Sequence, residues 1–340
     1  MNERRFYKLD TCVWEITRKC NFNCAYCGSK AGKADLDIEH LLSIAEQLVK
    51  MDCRRVVVIG GEVFLKQEWE TIVKYLVDNG RDTSIITNGF LINETLVEKI
   101  VRTGIRHISL SIDGDRDVHD EFRVIGSFDR AIDVIRLLKR NGLVVSVIST
   151  LNSKSIKTVE SLYKKLKILN IDAWQLQCCS PFGNAADKQY LVPSKNDLLR
   201  VCEFAAKENL NADFQIAVAD NIGYYTELEP YIRGDFCKGY NGCSAGLNTI
   251  GIDSLGNVRG CESLYADEFI EGNLTEKTLF EIWTSPTAFL YNRQFKKTML
   301  KGKCKNCNVW YKCAAGCRSF NYFYNGYVYE NKMCLKYSSD

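Results

Sequence analysis

Cys20, Cys24 and Cys27 follow an apolar stretch at the spacing Cx3Cx2C. Three thiolates can bind three irons of a [4Fe–4S] cube and leave the fourth iron open to another ligand, whereas a cluster that only carries electrons takes four. The chain has sixteen cysteines in 340 residues, eight of them after residue 236. Met1-Asn2-Glu3-Arg4-Arg5 leads into no signal-peptide core, which predicts a cytoplasmic protein, and a reducing compartment turns such cysteines towards metal or redox chemistry. Zinc remains open, since Cys304-x2-Cys307 alone fits a zinc ribbon. The three histidines, His40, His107 and His119, lie outside the cysteine clusters, and an all-thiolate set suits iron–sulfur at least as well.

These residues need a scaffold. Between residues 11 and 210, β-branched runs alternate with helical patterns. Strands are predicted at Thr11–Thr17, Arg55–Ile59, Thr83–Thr87, His107–Ile112, Val144–Thr150 and Ala173–Gln177, and helices at about 38–51, 67–79, 93–103, 127–140, 155–169 and 195–208. Gly80, Gly104 and Gly142 stand where helices should stop. Six strand–helix units imply a parallel sheet with right-handed crossovers, two units short of a closed (β/α)8 barrel. In such folds the chemistry lies beyond the C-terminal ends of the strands, and the Cys20 loop follows the first of them. The expected layout is α/β, with a barrel over 1–210 and no extra N-terminal domain, a bridging segment at 211–236 and a small cysteine-rich domain over 237–340. That last part has too few long periodic elements for a large core, so metal should staple it. Net charge is +3, too small to argue for nucleic acid, and no apolar run reaches the roughly 18 residues needed to span a membrane.

Further residues sit at strand ends: Gly60-Gly61-Glu62 after the second strand, Thr87-Asn88-Gly89 after the third, Ser109-Leu110-Ser111-Ile112-Asp113-Gly114 at the fourth, and His119-Asp120-Glu121-Phe122-Arg123 beyond it. Together with the Cx3Cx2C run they resemble the radical S-adenosylmethionine (SAM) enzymes, which implies a partial (β/α)6 TIM-like barrel. The C-terminal cysteines resemble a SPASM domain: Cys243, then Gly256 and Cys261, then Cys304-x2-Cys307-x5-Cys313-x3-Cys317, and Cys334. The resemblance implies SAM and three [4Fe–4S] clusters. Cys20, Cys24 and Cys27 would hold the SAM-binding cluster. Cys237, Cys243, Cys261 and Cys317 would hold one auxiliary cluster, and Cys304, Cys307, Cys313 and Cys334 the other. Gly60, Gly61 and Glu62 would meet the SAM amino group, with Asn88, Ser111 and Asp113 at its ribose and methionyl parts. Arg123 would bind its carboxylate and Tyr26 would lie beside the adenine. For His119 a structural role in a short loop is expected.

Cys12, Cys53 and Cys202 read as small buried hydrophobes. Cys178 and Cys179 end the sixth strand, where one thiol could donate a hydrogen atom to a substrate radical or both could simply pack. Pro181-x-Gly183-x-Ala185 resembles the loop that often follows this strand in the family. The resemblance implies a 5′-deoxyadenosyl radical that takes hydrogen from a residue of a ribosomally made peptide, leading to crosslinking or other oxidative maturation. Epimerisation, formylglycine formation of the anaerobic sulfatase-maturase kind, and a non-enzymatic iron–sulfur carrier are the alternatives. For the sulfatase-maturing enzymes the pattern has Asp after the third ligand of the first auxiliary cluster; here that place is Glu262, the further catalytic candidate. Implied partners are a peptide or protein substrate, a low-potential donor such as flavodoxin or ferredoxin, and a separate peptide-recognition protein.

Overall fold

Alternating burial along short β-branched runs, with a helical apolar period between them, produces the repeating unit of the chain. The computed structural model describes residues 7–29, 32, 34–211, 213–223, 226–233 and 240–337. Strands β1 (Thr11–Glu15), β2 (Arg55–Ile59), β3 (Asp82–Thr87), β4 (His107–Ser111), β5 (Val144–Leu151) and β6 (Ala173–Cys178) pair in succession, all parallel. Helices α1 (Ile38–Lys50), α2 (Trp69–Asp78), α3 (Glu94–Arg102), α4 (Arg116–Phe122), α5 (Ser127–Arg140), α6 (Val159–Ile168) and α7 (Lys195–Asn209) accompany them. In α1, Asp37 caps the first turn by accepting from the His40 N–H, and Leu41, Ile44, Ala45 and Leu48 form the buried stripe. Helix α4 holds His119 where a loop is expected from the sequence; its seven residues are too short for the apolar period to register.

The sheet extends past β6. Strand β7 (Gln215–Val218), inside the segment read as a bridge, adds parallel to β6. Strand β8 (Thr249–Ile252), from the cysteine-rich part, adds parallel to β1, and β9 (Asn257–Arg259) and β10 (Gly272–Asn273) continue the sheet antiparallel. The order is β10-β9-β8-β1-β2-β3-β4-β5-β6-β7, so the barrel is partial and does not close. Among the described residues no helix is long and apolar enough to cross a membrane.

Gly251 explains why β8 was hard to foresee: a glycine weakens a four-residue strand signal, yet only glycine fits. A Cβ there would lie 2.3 Å from the backbone nitrogen of Glu262. Gly251→Ala is therefore expected to push Cys261 and Glu262 away from β8 and, with Cys261 the auxiliary-cluster ligand that the resemblance implies, to cost iron while SAM binding survives. Iron quantitation beside SAM titration checks this; full iron content would show that the contact yields.

Candidate active site and thiol centres

Side-chain alternation sends one face of the sheet to the helices and the other inward. Trp14, Val56, Val58, Trp174 and Leu176 are buried in the main core. Their neighbours Val13, Val57, Ile59, Gln175 and Gln177 line a cavity of about 480 Å³, a size that accommodates a cofactor or substrate portion.

The Cys20 loop forms part of its wall, and Cys20, Cys24 and Cys27 all line it. Two features hold this loop. After β2 the Gly61 N–H donates to Thr17 O (2.7 Å) and the Glu62 N–H to Lys19 O (2.8 Å). A Cβ on Gly61 would lie 2.5 Å from Lys19 O, so the glycine pair lets the β2 turn seat directly on the cysteine loop. After β6 the expected Pro181-x-Gly183-x-Ala185 loop straps the other side: the Asn184 N–H donates to Cys27 O (2.9 Å), its amide to Cys24 O (2.9 Å), and Lys188 Nζ to Ala25 O (3.1 Å). Gly183, at φ +60°, leaves no room for a Cβ beside Cys27 O.

The chemistry of the donors fits a metal cluster. Burial raises all three thiols, Cys27 to about 11, with mutual repulsion from Cys24 adding to it. Arg123 acts on each of them to favour the thiolate, but its guanidinium is already shared with Asp113. Three thiolates here therefore call for strong added positive charge. Among the described residues no three His, Cys, Asp or Glu side chains converge on one point as ligands of a single ion would. The thiols rim a hollow instead, as suits a larger polynuclear group.

Glu62 is buried, and its carboxylate accepts from Thr87 Oγ1 (2.7 Å) and the Asn88 N–H (2.9 Å); burial raises its pKa against those bonds. Gly60, Asn88, Ser111, Arg123 and Tyr26 line the cavity. Asp113 is tied up by protein: it accepts from Arg123 Nε and Nη2, from the Tyr26 hydroxyl and from the Thr150 N–H (2.8 Å), and is 1% exposed. The Asp113 N–H donates to His119 Nδ1 (3.2 Å), while burial and then Arg123 push the imidazole down to about 4. His119 is thus a neutral buried acceptor, the structural role expected of it.

The strand end separates the two adjacent thiols. Cys178 lines the cavity, held in place by Asn221, which accepts from its N–H (3.0 Å) and donates to its carbonyl (2.8 Å). Cys179 packs away from it with Tyr26, Phe122, Ala185 and Leu191. Cys12, Cys53 and Cys202 are buried in the core. Glu262 also lines the cavity, accepting from Cys261 Sγ (3.2 Å) and Ser263 Oγ (3.0 Å). Gln175, Gln177, Thr150 and Asn221 are cavity residues that sequence reasoning did not single out. Polar residues at alternate positions of an otherwise apolar β6 were the available signal.

Beyond the cavity the C-terminal thiols form two groups. Burial raises the Cys261 and Cys317 thiols, with Cys243 adding to both, and Cys317 caps the helix Arg318–Asn325 by accepting from the Phe320 N–H (3.4 Å). A helix N-terminus favours a thiolate. Cys261 Sγ bonds the cavity residue Glu262, so this group adjoins the cavity wall. Cys237 lies outside the described residues. Cys304, Cys307, Cys313 and Cys334 line one small hollow with Tyr337, which hydrogen-bonds Cys307.

Residues 14–166 match the radical SAM superfamily, and residues 243–308 match SPASM, described as an iron-sulfur cluster-binding domain. The AdoMet-dependent heme synthase of Methanosarcina barkeri is 25% identical over 95% of this chain and 95% of its own. The mycofactocin maturase MftC of Mycobacterium ulcerans is 25% identical over 92% of this chain and 83% of its own. Among solved structures, Streptococcus suis SuiB superposes with a TM-score of 0.76 at 19% identity, covering 96% of this chain and 77% of that one.

Proposed function

The chain is a radical SAM enzyme with a C-terminal SPASM domain, and on that premise we propose that it oxidises a residue of a ribosomally made peptide. The observation that carries this reading is the single cavity whose wall includes Cys20, Cys24 and Cys27 together with Cys178 and Glu262, next to the Cys261 group. When bound, SAM on a reduced cluster supplies a radical able to remove hydrogen from an unactivated carbon. In this proposal Cys20, Cys24 and Cys27 hold that cluster. Gly60 and Gly61 fix their loop, and Glu62, Asn88, Ser111 and Arg123 bind the polar groups of SAM beside Tyr26. Gln175, Gln177 and Thr150 face the substrate, and Glu262 takes the proton that leaves it. Cys237, Cys243, Cys261 and Cys317 would hold one auxiliary cluster, which when bound would supply the acceptor for the electron that the substrate loses with that proton, and Cys304, Cys307, Cys313 and Cys334 would hold the other. The maturase relative supports a peptide substrate, as does the SuiB structure bound to the precursor peptide SuiA. A second reading, action on a heme precursor, is favoured by the end-to-end match to the heme synthase.

The test incubates the reconstituted enzyme, SAM and reductant in deuterated water with any short peptide that the neighbouring genes encode, or with a heme precursor. The expected peptide product has lost two hydrogens and is the same for wild type, Cys178→Ala and Cys179→Ala. A peptide with its hydrogen count unchanged but one hydrogen replaced by solvent deuterium, abolished only by Cys178→Ala, would replace oxidation by epimerisation with Cys178 as hydrogen donor. Turnover of the heme precursor alone would establish the second reading.

A further inference from the structure

Between Glu281 and Glu330 the chain contains six lysines, two arginines and no acidic residue, although its net charge is only +3. This stretch wraps the hollow of Cys304, Cys307, Cys313 and Cys334. Lys296, Lys297, Lys301, Lys303, Lys305 and Lys312 are all exposed, while the four thiols lie just beneath at 7–9% exposure. Lys336 lines the same hollow, and Lys195 of α7 acts on Cys334.

The face is also ordered. Lys297 sits over the Trp310 ring (5.2 Å), Lys301 over Tyr327 (4.0 Å) and Lys303 over Tyr337 (5.5 Å), so aromatic planes hold the ammonium groups in place. Tyr337 in turn bonds Cys307. Beside them Tyr311 is 64% exposed, an aromatic of the kind that anchors protein interfaces. Lysines of one sign around a shallow redox site steer and orient a partner of the opposite sign.

We infer that this lysine face is the docking surface for an acidic one-electron carrier protein of the flavodoxin or ferredoxin class. The inference rests on reading the four thiols beneath it as cluster ligands. It assigns the carrier to the hollow of Cys304, Cys307, Cys313 and Cys334, which shares no lining residue with the large cavity, and leaves that cavity to the substrate.

The experiment titrates the reconstituted holoenzyme with flavodoxin and reads the flavin signal for Kd, using wild type and a Lys297→Glu, Lys301→Glu, Lys305→Glu variant. Wild-type Kd should weaken about ten-fold or more between about 50 mM and about 300 mM salt, as screening shortens the reach of the charges. In the variant, Kd at low salt should already be weaker by about ten-fold or more and should respond little to salt. Iron content and SAM affinity should be unchanged. An unaltered flavodoxin Kd in the variant overturns the inference, as does loss of peptide-substrate binding with flavodoxin binding intact. The ligand reading has its own check: Cys304→Ala with Cys313→Ala must lower the iron content, and if it does not, that reading fails whatever the Kd shows.

Discussion

Replacing Cys20, Cys24 and Cys27 together by Ala is expected to remove about four of about twelve irons per chain and to abolish SAM cleavage. The three thiols line one cavity, and Cys24 burdens both Cys20 and Cys27, so they act as a unit. The C-terminal groups are built on other elements, around the helix Arg318–Asn325 and around Tyr337, and should keep their metal. Iron and sulfide analysis after anaerobic reconstitution, with 5′-deoxyadenosine measured in parallel, decides the matter. Stoichiometric zinc in the wild type after anaerobic purification would overturn the cluster assignment.

Arg123→Ala carries the second large effect. Asp113 is 1% exposed and receives two of its hydrogen bonds from Arg123. Without the guanidinium its carboxylate keeps only the Tyr26 hydroxyl and the Thr150 N–H, and a buried charge that loses its partner costs about 3–5 kcal/mol. Denaturant unfolding of the iron-free protein should register that loss. Asp113→Ala added to Arg123→Ala should recover much of it, because no orphaned carboxylate remains. SAM affinity is the separating readout: it should fall by about ten-fold or more in both variants, the value of one charge-assisted contact. If the double variant regains SAM affinity with stability, Arg123 works only by neutralising the buried Asp113 carboxylate.

The six strand–helix units were legible because each carries its own signal. Val56 and Val58 alternate with inward neighbours, and α1 repeats apolar residues at helical spacing before Met51 ends it. The cavity residues next to the cysteine motif could be placed because a parallel sheet presents its strand ends together. What escaped was non-local. No local pattern in Gln215–Val218 says that it completes the sheet beside β6, and none in Thr249–Ile252 says that it pairs with β1, more than two hundred residues earlier. The commitment of Asp113 to Arg123 and Tyr26 was hidden for the same reason: the carboxylate and the hydroxyl come from loops 87 residues apart.

The pairing of β1 with β8 bears on how the protein is made. Thr11 lies beside Arg55 on one side and Thr249 on the other. On the ribosome, one border of β1 can be covered as soon as β2 emerges, whereas the other waits until Thr249–Ile252 has been made. During that interval a strand carrying Trp14 presents bare backbone groups beside the Cys20 loop, an invitation to pair with another chain. A fragment that ended before residue 249 would carry that bare border permanently, so the cysteine-rich segment serves the nascent barrel as its own shield.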